Sequence, residues 1–263
     1  MKTIFDFKKK KESKQKISML TCYDHWSAKI LNKSSIDAIL VGDSVAMVMY
    51  GHQTTLPATV EMMAYHCEAV CKGAPDKFIV GDLPFLSYRS SLEENIKAVH
   101  RIMQTGVHAV KLEGAHGNLD FISHLVQSGV PVMGHLGLTP QSVFQLGGFK
   151  VQGKSSEAQT EILNQALALE KAGCFSIVLE CVPSNLATLI TNKLAIPTIG
   201  IGAGASTDGQ ILVLQDMLGL NSDFKPKFVR HFINGEKILL EGIEFFHNET
   251  INQTFPSNKE SFE

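Results

Sequence analysis

The chain has 263 residues, 44% hydrophobic and 19% charged, with a formal net charge of −2. That balance is ordinary for a globular chain of one large or two average domains, and it gives no support for a nucleic-acid partner. The five Cys are odd in number and irregularly spaced, which fits neither a disulfide framework nor a zinc site, so reduced thiols and a cytoplasmic location are expected.

Residues 1–16 carry seven Lys against Asp6 and Glu12. This basic segment has no apolar run long enough for a signal peptide or a membrane span, and it reads as a solvated N-terminal helix. Ile17–Thr21 predicts a first strand, residues 23–33 a helix, and residues 36–42 a second strand running into Gly42-Asp43-Ser44. Thr59 is placed to cap a helix that reaches about Cys71. Phe78–Asp82 is the third strand, Ser91 caps a helix through Met103, and residues 107–113 are the fourth strand. A helix over 118–127 leads to a fifth strand over 130–135. Residues 136–154 form a Gly-rich loop, longer than a compact domain usually carries without a purpose. Ser156–Ala172 is a helix closed by Gly173, followed by strand 175–180, a helix over 183–193 with Pro at its start, and strands 196–201 and 210–216. Residues 225–246 include a closing helix, and 247–263 form a polar tail.

Helices alternating with short apolar strands argue for βα units and a parallel sheet. Eight such strands suggest a closed (β/α)8 barrel, with residues 1–263 as a single domain. The first βα turn lacks the glycine fingerprint of a dinucleotide-binding fold.

The fourth strand, Val107-His108-Ala109-Val110-Lys111-Leu112-Glu113, carries a cation and an anion two residues apart, hence on one face. Either they neutralise each other as a structural pair, or they stand at the mouth of a site. The other strands end alike: Asp43 after the second, Asp82 on the third, His135 on the fifth, Glu180 on the sixth. In barrel enzymes the C-terminal rim holds the chemistry. Alternation aligns Asp43 with Val41 and Ile39, Asp82 with Val80 and Phe78, and Glu180 with Val178 and Ser176, as one inward face. Asp43 and Asp82, with Glu113 one strand on, offer hard oxygens of the kind Mg2+ takes together with substrate oxygens; as an alternative, the Asp residues cap turns. Lys111 supplies a cation for an anionic substrate, Ser44 a hydroxyl, and His135 either a donor or packing. Glu180, with no partner evident nearby in sequence, is the candidate base, the alternative being a structural Glu paired with a Lys or Arg from a loop.

Several ordered motifs resemble the ketopantoate hydroxymethyltransferase family. They are Gly42-Asp43-Ser44, Gly81-Asp82-Leu83-Pro84-Phe85, Val110-Lys111-Leu112-Glu113-Gly114, Pro131-Val132-Met133-Gly134-His135-Leu136-Gly137-Leu138-Thr139-Pro140-Gln141, Val178-Leu179-Glu180-Cys181-Val182-Pro183 and Gly200-Ile201-Gly202-Ala203-Gly204. The resemblance runs from about Ile17 to Phe228. Val45-Ala46 and Thr207 depart from the family's more usual Leu-Gly and Cys.

The resemblance implies a barrel of the phosphoenolpyruvate/pyruvate type, assembled as a homodecamer. It implies hydroxymethyl transfer from 5,10-methylenetetrahydrofolate to 3-methyl-2-oxobutanoate, giving 2-dehydropantoate through an enolate stabilised by Mg2+, in pantothenate biosynthesis. By position, Asp43 and Asp82 would ligand Mg2+, and Glu113 would reach it directly or through water. Asp43, Ser44, Asp82, Lys111 and His135 would surround the keto acid, and Glu180 would accept the proton. Small molecules are then the expected partners, with no nucleic acid and no membrane. Two rivals stand beside this expectation: a Mg2+-dependent lyase or aldolase acting on another 2-oxo acid, and a non-catalytic barrel.

Overall fold

The computed structural model describes residues 2–221 and 226–262. The chain divides into two compact units, Met1–Leu212 and Val213–Glu263. The first unit is the expected closed barrel of eight parallel strands in chain order, each hydrogen-bonded to the next and the last to the first. The strands are β1 (Ile17–Thr21), β2 (Ala38–Val41), β3 (Phe78–Asp82), β4 (Ala109–Glu113), β5 (Val132–Gly137), β6 (Ser176–Glu180), β7 (Thr198–Ile201) and β8 (Gly209–Leu212). The helices of this unit are α1 (Ile4–Glu12), α2 (His25–Lys33), α3 (Val45–Val48), α4 (Val60–Gly73), α5 (Leu92–Met103), α6 (Leu119–Gln127), α7 (Ser156–Ala172) and α8 (Ser184–Lys193). Residues 202–208 pass from β7 to β8 without a helix.

Local chemistry sets the helix starts. Thr59 Oγ1 accepts from Met62 N at 3.1 Å, Ser91 Oγ from Glu94 N at 3.3 Å and Ser155 Oγ from Ala158 N at 3.2 Å, each satisfying a backbone donor that the helix leaves free. Gly173, at φ +104°, closes α7 in a conformation open to glycine.

The barrel interior is one buried cluster that includes Ile17, Met19, Ala38, Leu40, Phe78, Val80, Ala109, Met133, Val178, Ile199 and Ile211. Phe7 of α1 joins it, fully buried, with its ring 5.2 Å from that of Phe78 and 5.1 Å from that of Phe175. Both partners lie at strand starts, so α1 closes the N-terminal end of the barrel. The expectation of a solvated helix is therefore corrected. The Lys-rich pattern concealed one aromatic anchor, and two of the lysines are spent on acids beside the strand starts. Lys10 pairs with Asp37 before β2, and Lys11 Nζ lies 2.7 Å from Asp208 Oδ2 before β8.

The eighth strand is shorter than the expected 210–216. It ends at Leu212, which pairs with Leu20 of β1, and Val213 is already the N-cap of the next helix. The second unit opens with α9 (Leu214–Met217) and contains α10 (Gly235–Ile251). The closing helix expected over 225–246 thus starts later, where Asn234 Oδ1 accepts from Lys237 N at 3.2 Å. It also runs into the stretch read as a polar tail. Lys225, from that expected helix, and Met1 and Glu263, from the two terminal segments, lie outside the described residues. Among the described residues, no helix is long and apolar enough to cross a membrane.

Candidate active site

Asp82 and Lys111 stand opposite each other in the β3–β4 register, Glu113 and His135 in the β4–β5 register. Because parallel strands set neighbouring side chains side by side at the same level, these pairs meet in a continuous chain. Lys111 Nζ is 2.9 Å from Asp82 Oδ1 and 3.9 Å from Glu113 Oε1. His135 Nδ1 is 3.3 Å from Glu113 Oε1, and His135 Nε2 is 3.2 Å from Glu180 Oε2. Asp43 joins at the other end, its backbone N donating to Asp82 Oδ2 at 3.3 Å. The structure thus brings together Asp43, Asp82, Lys111, Glu113, His135 and Glu180. All but Glu180 are at most 4% exposed.

Two details differ from the sequence reading. Asp43 does not reach the mouth by strand alternation, since the inward residues of β2 are Ala38 and Leu40. The strand ends at Val41, and Gly42 carries Asp43 past the ladder. Glu180 is not without a partner either, because His135, one strand away, contacts it. Ser44 stands apart from the ionic chain, with its Oγ 2.8 Å from the Tyr23 hydroxyl.

Burial and mutual repulsion govern the charges. Burial pushes the Asp43 carboxyl well above the ordinary carboxylate range, and the charges of Asp82 and Glu113 push it further. Burial likewise raises Asp82, against the pull of Lys111. Burial also works to raise Glu113, but the contacts with His135, the Lys111 charge and the Gln141 N–H outweigh it, and Glu113 lies below its usual value. Lys111 is depressed by burial but held higher still by Asp82, Glu113 and Asp43, and so stays a cation. For His135, burial and Lys111 act downward while Glu113 and Glu180 win, pushing it up to about 9.

Sequence reasoning missed one residue at the centre of this site. The loop after β5 forms a 3-10 turn over Pro140–Ser142, and Gln141 points inward, 4% exposed. Its Nε2 donates to Asp43 Oδ2 at 2.8 Å and to the Leu83 carbonyl at 2.9 Å. Its backbone N donates to Glu113 Oε2 at 3.0 Å, and its Oε1 accepts from the Tyr88 hydroxyl at 2.6 Å. The available signal was the unusual length of the loop and its place at the C-terminal rim.

The donor set fits a divalent cation. Among the described residues, the four acids meet two basic side chains, Lys111 and His135, and their oxygens are the hard donors that Mg2+ prefers. Among the described residues, no three His, Cys, Asp or Glu side chains form a ready-made cage.

Fold and site together define a (β/α)8 barrel with a charged, acid-rich mouth at the C-terminal ends of its strands. Residues 1–258 match the family model for ketopantoate hydroxymethyltransferase. The 3-methyl-2-oxobutanoate hydroxymethyltransferase of Bdellovibrio bacteriovorus is 61% identical over 262 residues, covering 100% of both chains. The chain belongs to the ketopantoate hydroxymethyltransferase family and is a transferase, which sets aside the non-catalytic barrel. Its fold is also that of more distant solved structures. One is phosphonopyruvate hydrolase in complex with oxalate and Mg2+ (TM-score 0.66, 10% identity, 99% of this chain and 93% of that one). Another is 2,3-dimethylmalate lyase, a member of the PEP mutase/isocitrate lyase superfamily (TM-score 0.62, 15% identity, 100% and 92%).

Proposed function

We propose that this enzyme transfers a hydroxymethyl group from 5,10-methylenetetrahydrofolate to 3-methyl-2-oxobutanoate, giving 2-dehydropantoate for pantothenate biosynthesis. The observation that carries the reading is the contact of Glu180 with the imidazolium of His135, at the far end of an ionic chain that begins at Asp43 and Asp82. It separates a proton acceptor from an anion-handling side, as deprotonation beside a carbonyl requires.

Asp43 and Asp82 would hold Mg2+, with Glu113 completing its surroundings. When bound, the ion supplies Lewis-acid stabilisation of the negative charge on the keto acid's oxygens. The protein's own groups do the rest. Lys111 and Ser44 hold the keto acid, and His135 orients Glu180. Glu180 takes the proton from C3, whose electron pair forms the bond to the methylene carbon that folate presents as an iminium; the carbon–nitrogen bond then breaks as water supplies the hydroxyl group, and tetrahydrofolate leaves with the proton on its nitrogen. The Mg2+ complex of phosphonopyruvate hydrolase, on the same fold, supports the choice of metal.

Assembly as a homodecamer is part of this reading. It is supported by exposed apolar side chains suited to burial against other copies: Trp26 at 65% and Tyr65 at 67% in the barrel unit, and Ile243 and Phe246 on α10. A cytoplasmic location is supported by the five free cysteines.

Glu180→Gln keeps size and polarity but cannot accept the proton. It is expected to abolish deuterium exchange at C3 of 3-methyl-2-oxobutanoate while Mg2+ binding, measured by calorimetry, stays intact. Wild-type exchange in the variant overturns the assignment of the base. Turnover without methylenetetrahydrofolate would instead favour the lyase or aldolase reading.

A further inference from the structure

We infer that Gln141 is a positioning residue that fixes which oxygen of Asp43 and of Glu113 faces the cation site, and that Tyr88 fixes Gln141 in turn. The inference rests on the metal reading above.

A carboxylate turns easily about its last bond, so two carboxylates present a defined pair of oxygens only if something holds each one. In this site each of the three deeply buried acids has one oxygen engaged by a neutral N–H group. Asp82 Oδ2 accepts from Asp43 N. Asp43 Oδ2 accepts from Gln141 Nε2, and Glu113 Oε2 from Gln141 N. Two of the three holding bonds therefore come from one residue. The oxygens known to face cations are the opposite ones: Asp82 Oδ1 meets Lys111, and Glu113 Oε1 meets Lys111 and His135. Gln141 thus works on the back of the acids, leaving their other oxygens to charged partners.

The orientation of the Gln141 amide follows from its neighbours. Glu113 N donates to the Tyr88 oxygen at 3.3 Å, which frees the Tyr88 proton for Gln141 Oε1 at 2.6 Å. With Oε1 engaged there, Nε2 must lie on the side of Asp43 Oδ2 and the Leu83 carbonyl, both acceptors. A flipped amide would set its oxygen against two acceptors and its NH2 against a hydroxyl proton. The network is closed and buried, the condition under which each bond carries most weight. It also ties the loop after β5 to β2, β3 and β4, so the loop's seating over the mouth and the aim of the acids are one arrangement.

Groups that orient metal ligands from behind typically contribute about 10–100-fold to metal affinity. Isothermal titration of Mg2+ into wild type, Gln141→Ala, Tyr88→Phe and the double variant tests the inference. Urea unfolding without added metal is measured in parallel, with KM and kcat for the keto acid. Gln141→Ala is expected to weaken Mg2+ binding about tenfold or more, and Tyr88→Phe, which keeps its ring in place, severalfold. The double variant should be no weaker than Gln141→Ala alone, because Tyr88 acts through Gln141. Gln141→Glu, which keeps the shape and the acceptor for Tyr88 but sets a carboxylate against Asp43, should not rescue binding. Should Gln141→Ala fail to fold, Tyr88→Phe carries the test alone. Variants that lose stability but bind Mg2+ within twofold of wild type overturn the role of Gln141 and leave the metal reading standing. A wild-type chain that takes up no Mg2+ overturns both.

Discussion

Gly137 and Glu180 face each other in the β5–β6 register, and the next backbone N–H, that of Leu138, donates to the Glu180 carbonyl at 2.8 Å. Gly137 has φ +94°, and a Cβ built there would overlap the Glu180 carbonyl oxygen and crowd Val182. The backbone of the proposed base is therefore gripped by a turn that only glycine can make.

Gly137→Ala tests that grip. Strain and overlap act together, so a loss of about 2 kcal/mol or more in unfolding free energy is expected by urea denaturation. Proton exchange at C3 of the keto acid should fall with it, since Glu180 and the His135 contact must shift. An Ala variant within about 0.5 kcal/mol of wild type would show that the turn yields easily.

Phe7→Ala removes the aromatic plug from the N-terminal end of the barrel. A fully buried Phe truncated to Ala costs about 3–5 kcal/mol. Phe5, two residues earlier on the same helix, is 73% exposed and serves as the control, with Phe5→Ala within about 0.5 kcal/mol of wild type. Equal effects of the two substitutions in chemical denaturation would contradict the placement of α1.

Asp43→Asn separates stability from function. The Asp43 carboxyl is raised in the fold, so its ionised form is a liability that appears above the ordinary carboxylate value and grows until the raised folded value is passed. Below the ordinary value, where both states are protonated, wild type and Asp43→Asn should be about equally stable. At neutral pH and with metal chelated, the Asn variant should be more stable by on the order of 1 kcal/mol, since its neutral amide carries no such liability and still accepts from Gln141. Added Mg2+ should reverse the order, stabilising wild type and leaving the variant unmoved. Thermal melts with chelator and with Mg2+, at acid and neutral pH, read both signs.

Much of this molecule was written locally. The eight strands and most of the helices followed from apolar runs, caps and turn residues, because those signals depend on near neighbours only. The polar strand ends also stood out, since charges at the ends of apolar strands are rare enough to mark a rim. By contrast, helix α1 looked solvated, for nothing in a Lys-rich run says that one Phe will meet Phe78 and Phe175.

By itself, the sequence determined the barrel, its acid-lined rim and the family to which the chain belongs. Only the tertiary structure decided how those residues are joined: Lys111 between Asp82 and Glu113, His135 bridging Glu113 to Glu180, and Gln141 crossing from the loop to hold Asp43 and Glu113 from behind. The reason is physical. Strand and helix periods are set by bonds between near residues, whereas contacts between neighbouring barrel strands depend on register, and the path of a long loop is fixed by whichever buried donors and acceptors it can satisfy.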